Sequence, residues 1–176
     1  TGSIGTSLIN IIKNDKKNFK IELISANKNY KKLIKQAKFF NVKNLIITDQ
    51  NALLKAKKIL KNSSIKIYNN FNSFKTIFKN KKIDYTMSAI TGFHGLKPTL
   101  DIIEFTNVIA IATRHDMHAT QVIASLNAGK NVFVEKPLAL TLDEVVEIEK
   151  AYKKNNKSNN ITLMGIPSYF SYIVKN

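Results

Sequence analysis

The chain has no cysteine, a single arginine, and no apolar run approaching the ~20 residues that span a bilayer. The first absence excludes disulfides and thiolate metal sites. The second argues against a reader of bases or phosphates, where arginine forks are the usual instrument, and leaves Arg114 isolated. The net charge of +16 comes instead from lysines mixed with asparagines on helix faces (Lys31, Lys32, Lys35, Lys38) and in turns (Lys153, Lys154, Lys157). We read it as a solvated surface, with no nucleic-acid partner. The third absence leaves no membrane span, and no stretch has the basic, apolar, small-residue order of a signal peptide, so the expected location is cytoplasmic. What is present, 44% hydrophobic and 23% charged residues in 176, is enough for one compact domain with a core.

Short apolar runs alternate with segments of helical period. The pattern predicts helices over residues 6–14, 30–40, 52–60 and 73–78, and strands over 19–25, 44–48, 65–68 and 85–90. Strands separated by helices make a parallel sheet with right-handed crossovers, an α/β class. From residue 84 the chain repeats itself: "DYTMSAITGFHG", "LKPTLDIIEF" and "NVIAIA" are strand, helix and strand, and "NVIAIATRHDMH", "ATQVIASLNAGK" and "NVFVEKP" are the same again. "LTLDEVVEIEKAYKK" then reads as a helix capped by Thr141 with Asp143 and Glu144 in its first turn, and "ITLMGI" as a last strand.

Two places carry chemistry. "TGSIGTS" sets Gly2 and Gly5 ahead of an amphipathic helix, where backbone amides and the helix dipole suit a pyrophosphate. The expected fold is a doubly wound parallel sheet of Rossmann-like NAD(P)-binding type, with the first strand, the one before this loop, missing. About 20 residues further on, where an acid would bond a ribose 2′-hydroxyl in an NAD site, the chain has Ser25, Ala26, Asn27, Lys28 and Asn29. With no carboxylate to repel a 2′-phosphate and Lys28 to pair with one, the spacing favours NADP over NAD.

Together with "SAITGFHGLKPTLDIIE", those stretches resemble the N-terminal domain of 1-deoxy-D-xylulose 5-phosphate reductoisomerase, the NADPH- and divalent-metal-dependent enzyme of the non-mevalonate isoprenoid pathway, over residues 1–111. The resemblance implies that Thr1, Gly2, Ser3 and Ile4 line the pyrophosphate, that Asn27, Lys28 and Asn29 face the 2′-phosphate, and that Ala89, Ile90 and Thr91 lie near the nicotinamide. The chain departs from that family at Asn27, usually glycine, and at Phe93 and His94, usually small. It also lacks the Asn-Lys-Glu-Ser motif and the metal-binding carboxylates that should follow "IAIA", so no metal ligand is assigned.

Residues 107–176 resemble a second family instead, the Gfo/Idh/MocA sugar and polyol oxidoreductases, through "IATRHDMH" and "EKP". That resemblance implies that Thr113, His118, Glu135 and Pro137 contact the cofactor and that Lys136 is the catalytic side chain, pointing at nicotinamide and substrate. Ile166, Pro167, Ser168 and Tyr169 depart from its usual pattern. "NVIAIA" fits both families, so we read the chain as two dehydrogenase fragments joined there and packed as one continuous sheet. A small-molecule substrate is expected for either family, and the oligomeric state is left open, a homo-oligomer among the alternatives. Lys136 is suited to acid/base work if desolvated. The cluster of His115, Asp116 and His118 has too few donors for a metal.

Overall fold

The computed structural model describes residues 2–159 and 161–165, so Thr1 and the stretch from Ile166 to Tyr169 lie outside the described residues. The elements in chain order are α1 (Ser3–Asn14), β1 (Leu23–Ala26), α2 (Tyr30–Phe40), β2 (Asn44–Ile47), α3 (Gln50–Ile59), β3 (Lys66–Tyr68) and α4 (Phe74–Ile77), followed by β4 (Ile83–Ser88), α5 (Leu96–Ile102), β5 (Thr106–Ile111), α6 (His118–Asn127), β6 (Asn131–Val134), α7 (Leu142–Asn159) and β7 (Leu163–Gly165). The class is α/β, and every strand pair is parallel.

The chain divides into two compact units, residues 1–79 and 80–176. In the first, the sheet order is β1-β2-β3. β2 carries no polar face: Leu45, Ile46 and Ile47 are all buried, as befits a central parallel strand. Helix α2 starts where Asn29 accepts a hydrogen bond from the Lys32 amide (3.3 Å) and stops at Asn41, whose φ of 57° is the left-handed cap. Its Leu33, Ile34 and Ala37 pack with Ala52, Leu53 and Ala56 of α3 over Leu45 and Ile47. Asp49 caps α3 by accepting from the Ala52 amide at 2.8 Å. β1 is shorter than the apolar run suggests because its partner limits it. β2 begins at Asn44 opposite Leu23, and the ladder between the two strands starts there.

The second unit has the order β4-β5-β6-β7. "NVIAIA" falls in β5, which pairs with β4 on one side (Tyr85 opposite Val108) and β6 on the other (Val108 opposite Asn131). One strand thus closes the first βα repeat and opens the second, as the shared stretch predicts. The pleat sends Ile109, Ile111, Val132 and Val134 to one face, where α6 supplies Ala119, Val122 and Leu126 and α7 supplies Ile148 and Ala151. The other face presents Tyr85, Val108, Phe133 and Met164 along an open groove of about 340 Å³. Helix α7 begins with a capping box: Glu144 accepts from the amides of Leu140 (2.7 Å) and Thr141 (3.2 Å), while Thr141 accepts from the Glu144 amide (3.2 Å).

The described strands hydrogen-bond as two sheets rather than one, and β1 and β4 are each an edge of their own sheet. The unit boundary falls between Lys79 and Asn80 rather than at the stretch shared by the two family resemblances.

Candidate functional site

In the first unit, Gly2 caps α1 with extended backbone and no side chain of its own. Thr6 bonds back to it from inside the helix. Its amide and its hydroxyl both donate to the Gly2 carbonyl, at 2.9 and 2.7 Å. No acidic residue occupies the first turn, so the positive end of the helix dipole has no carboxylate of its own. A Cβ built at Gly2 or Gly5 would meet nothing within 4 Å. The protein's own packing therefore does not require glycine there, and the surface of the loop is open. Ser3 and Ile4, at the start of the same helix, are exposed.

At the carboxyl end of β1 the three polar residues of the turn have different jobs. Asn27 is tied across to the end of β2, its side-chain amide donating to the Thr48 hydroxyl (2.8 Å) and its carbonyl accepting from the Asp49 amide (3.4 Å). Asn29 caps α2. Lys28 contributes its backbone carbonyl to the turn, at 2.8 Å from the Tyr30 amide, and its exposed side chain makes no ion pair among the described residues. The turn is thus stiffened by its asparagines and leaves one ammonium group free. That order explains how asparagine serves at position 27: the side chain is used to brace the neighbouring turn.

Lys32, a helix-face lysine by its sequence pattern, belongs to the same neighbourhood. Its ammonium donates to the Thr6 hydroxyl at 2.8 Å, joining the first turn of α2 to the first turn of α1. On sequence it is one lysine among many on an amphipathic helix. Only its position three residues after the capping Asn29 hints that it points back toward the strand ends.

In the second unit the carboxyl ends of β4, β5 and β6 bring three turns together, the edge at which open parallel sheets bind ligands. Ala89, Ile90 and Thr91 follow β4, the first two half-buried and Thr91 exposed. Gly95 lies so close behind them that a Cβ there would sit 2.4 Å from the Ile90 carbonyl oxygen and 3.3 Å from Thr113 Cγ2. Thr113 donates its hydroxyl proton to Gln121 Oε1 at 2.6 Å. His118 is fully buried, with Nδ1 2.7 Å from the Pro137 carbonyl oxygen and Nε2 3.2 Å from that of Thr113. Its ring therefore holds the turns after β5 and β6 in place and presents no edge to solvent.

Glu135 is half-buried, and its amide donates to the Ile111 carbonyl at 2.8 Å. Lys136 is exposed and precedes a cis peptide bond to Pro137. The desolvated setting that would suit Lys136 to acid/base chemistry is not formed, and Lys136 and Glu135 make no ion pair among the described residues. Asp116 is engaged by Arg114 (3.1 Å), the His115 and His118 ring centres are 5.8 Å apart, and among the described residues no three His, Asp or Glu side chains converge. One polar atom stands out: Gln121 Nε2 is buried and has no hydrogen-bond partner among the described residues.

The sequence profile of 1-deoxy-D-xylulose 5-phosphate reductoisomerase matches residues 1–119. The reductoisomerase of Pelagibacter ubique is 64% identical over 118 residues, covering 66% of this chain and 30% of that protein. The chain thus spans less than a third of that relative. Among solved structures, the reductoisomerase from Zymomonas mobilis in complex with NADPH is similar in fold, with a TM-score of 0.58 and 24% identity over 96% of this chain and 37% of the other. A myo-inositol 2-dehydrogenase from Lactobacillus plantarum gives a TM-score of 0.35 and 24% identity over 76% of this chain and 32% of that one, a likeness too loose to bear on function.

Proposed function

We propose that this chain, which belongs to the 1-deoxy-D-xylulose 5-phosphate reductoisomerase family, binds NADPH through its first unit and is the cofactor-holding part of an NADPH-dependent oxidoreductase. The observation that carries the reading is the turn at the end of β1, where two asparagines are spent on the backbone and on Thr48 while Lys28 stands exposed and unpaired. An ammonium with no ion-pair partner among the described residues is complementary to a ribose 2′-phosphate and gives no advantage to the 2′-hydroxyl of NADH. The open faces of Gly2 and Gly5 and the uncompensated start of α1 fit a pyrophosphate approaching backbone amides. Thr1, Ser3 and Ile4 complete the proposed loop.

NADPH supplies a hydride to a carbonyl substrate when bound; the chain's part is to hold the dinucleotide and keep its phosphates neutralised. In the second unit, Ala89, Ile90, Thr91, Thr113 and Glu135 are the proposed contacts on the nicotinamide side, and Lys136 the proposed group near a small-molecule substrate. His118 and Pro137 act there by fixing turns. A divalent metal, present in the relative solved with magnesium, has no matching donor set among the described residues, and no step is assigned to it. The joining of two dehydrogenase fragments at residues 107–112 belongs to this proposal too, as does the cytoplasmic location. Amplifying genomic DNA across the codons for 105–115 tests the joint, and failure to recover one contiguous molecule would show it to be artificial.

Isothermal titration of NADPH and NADH into the chain tests the cofactor reading. Saturable heat with NADPH and much weaker heat with NADH is the expected result. No heat with either dinucleotide overturns the reading.

A further inference from the structure

We infer that Lys32 is a phosphate-holding residue of the dinucleotide site, acting on the pyrophosphate and leaving the 2′-phosphate to Lys28. The inference rests on the cofactor reading above. Lys32 Nζ donates to Thr6 Oγ1 at 2.8 Å, and Thr6 Oγ1 donates to the Gly2 carbonyl at 2.7 Å. The ammonium, the hydroxyl and the glycine loop are therefore one polarised chain of hydrogen bonds. That ammonium lies at the start of two helices. Lys32 occupies the first turn of α2, and through Thr6 it also touches the first turn of α1. Both helix starts carry the positive end of a dipole, neither has an acidic residue in its first turn, and no carboxylate pairs with Lys32 among the described residues.

A half-buried cation set against two like-signed helix ends calls for an anion. The geometry names which one. Lys32 is bound to the residue that anchors the Gly2 carbonyl, so its charge lies with the glycine loop and the backbone amides that suit a pyrophosphate. Lys28 lies at the strand end, where the ribose would sit, and makes no contact with that chain of hydrogen bonds. The two lysines divide the labour: Lys32 contributes affinity to any dinucleotide, and Lys28 contributes preference between dinucleotides.

Titration of NADPH, NADH and adenosine 2′-monophosphate into the wild-type chain and the Lys32→Met, Lys32→Arg, Thr6→Val and Lys28→Ala variants tests this. Lys32→Met is expected to weaken NADPH and NADH by the same factor, roughly tenfold or more for one charge-assisted contact, with their ratio and the affinity for adenosine 2′-monophosphate unchanged. Lys32→Arg restores most of the loss, and the salt dependence of NADPH binding becomes shallower in Lys32→Met. Lys28→Ala changes the ratio. Melting without ligand reports whether each variant folds, and Thr6→Val weakens both dinucleotides with the ammonium retained. Wild-type binding of both dinucleotides that Lys32→Met leaves intact, or a loss confined to NADPH, overturns this inference alone. A wild-type chain that binds neither dinucleotide overturns it together with the reading on which it rests.

Discussion

His118 Nδ1 lies 2.7 Å from the carbonyl oxygen of Pro137, while the opposite nitrogen of the same fully buried ring lies 3.2 Å from the carbonyl oxygen of Thr113. One side chain therefore clamps the turns that follow β5 and β6. A neutral imidazole has a single N–H and donates to one of the two carbonyls at a time. Replacing it leaves two part-buried acceptors without that donor and opens a void the size of the ring. His118→Ala should cost about 3 kcal/mol of stability, combining cavity and orphaned acceptors. His118→Phe fills the void but supplies no donor and should recover only part of that loss. Urea unfolding of the three proteins checks the order, and a His118→Phe variant as stable as wild type would show that the hydrogen bonds contribute nothing.

How much of this was legible in the sequence depends on the kind of signal. Long periodic elements were legible: α2 falls over the predicted residues 30–40, and β5 serves both βα repeats as "NVIAIA" implies. Ends set by a partner were not, because Phe19 to Glu22 look like strand but the β1–β2 ladder begins only at Leu23 opposite Asn44. The glycine loop and the Asn27 to Asn29 turn could be found by spacing. Lys32 could not, since its meaning comes from a contact with a residue 26 positions away. His118 was legible as a residue of interest but not as a buried clamp, because burial depends on where the Pro137 turn comes to rest.

The approach of Gly95 to Ile90 makes a second stability prediction. The backbone of Gly95, at φ −83°, is open to any residue, so the demand for glycine is one of space. An added methyl would sit 2.4 Å from the Ile90 carbonyl oxygen, a backbone atom that cannot swing aside. Gly95→Ala should cost about 1–3 kcal/mol, as overpacking does. By contrast, a Cβ at Gly5 has open space around it, and Gly5→Ala should leave stability unchanged or slightly raised by helix propensity. Thermal melts of the two variants side by side give the comparison.

Helix α7 depends on its reciprocal cap. Glu144 accepts two amide protons that would otherwise have no partner at the helix start, and Thr141 accepts a third. Thr141→Ala should lower stability by about 1 kcal/mol. Glu144→Gln, which retains an acceptor oxygen but loses the favourable charge at the helix start, should cost less than Glu144→Ala. Circular dichroism melts that place both Glu144 variants level with wild type would show that charge and hydrogen bonding at this end are both unimportant.

Tyr85 gives a pH dependence with a definite sign. Burial of its phenol on the open face of the second sheet raises its pKa above the ordinary 10.0. In the unfolded chain the phenol ionises first, so Tyr85's contribution to stability is fully present below pH 10 and is lost as the pH climbs through the folded value. Tyr85→Phe has no proton to lose. The stability difference between wild type and Tyr85→Phe should be flat up to pH 10 and then move against wild type. A difference that stays constant to pH 11 or beyond would mean the phenol is as well solvated folded as unfolded.

Lys28 supplies the sharpest functional prediction because its side chain has no structural task. Asn27 and Asn29 hold the turn through Thr48 and the Lys32 amide, so changing Lys28 alters charge without altering the backbone. Lys28→Ala should weaken NADPH by roughly tenfold or more while sparing NADH, since a charge-assisted phosphate contact exists only for the former. Lys28→Asp should go further, adding repulsion of the 2′-phosphate and an acceptor for the 2′-hydroxyl, so that NADH gains as NADPH loses. The ratio of the two dissociation constants is the quantity to follow, because a variant that merely disturbed folding would weaken both. Equal weakening in Lys28→Ala and Lys28→Asp would move the source of selectivity away from this turn.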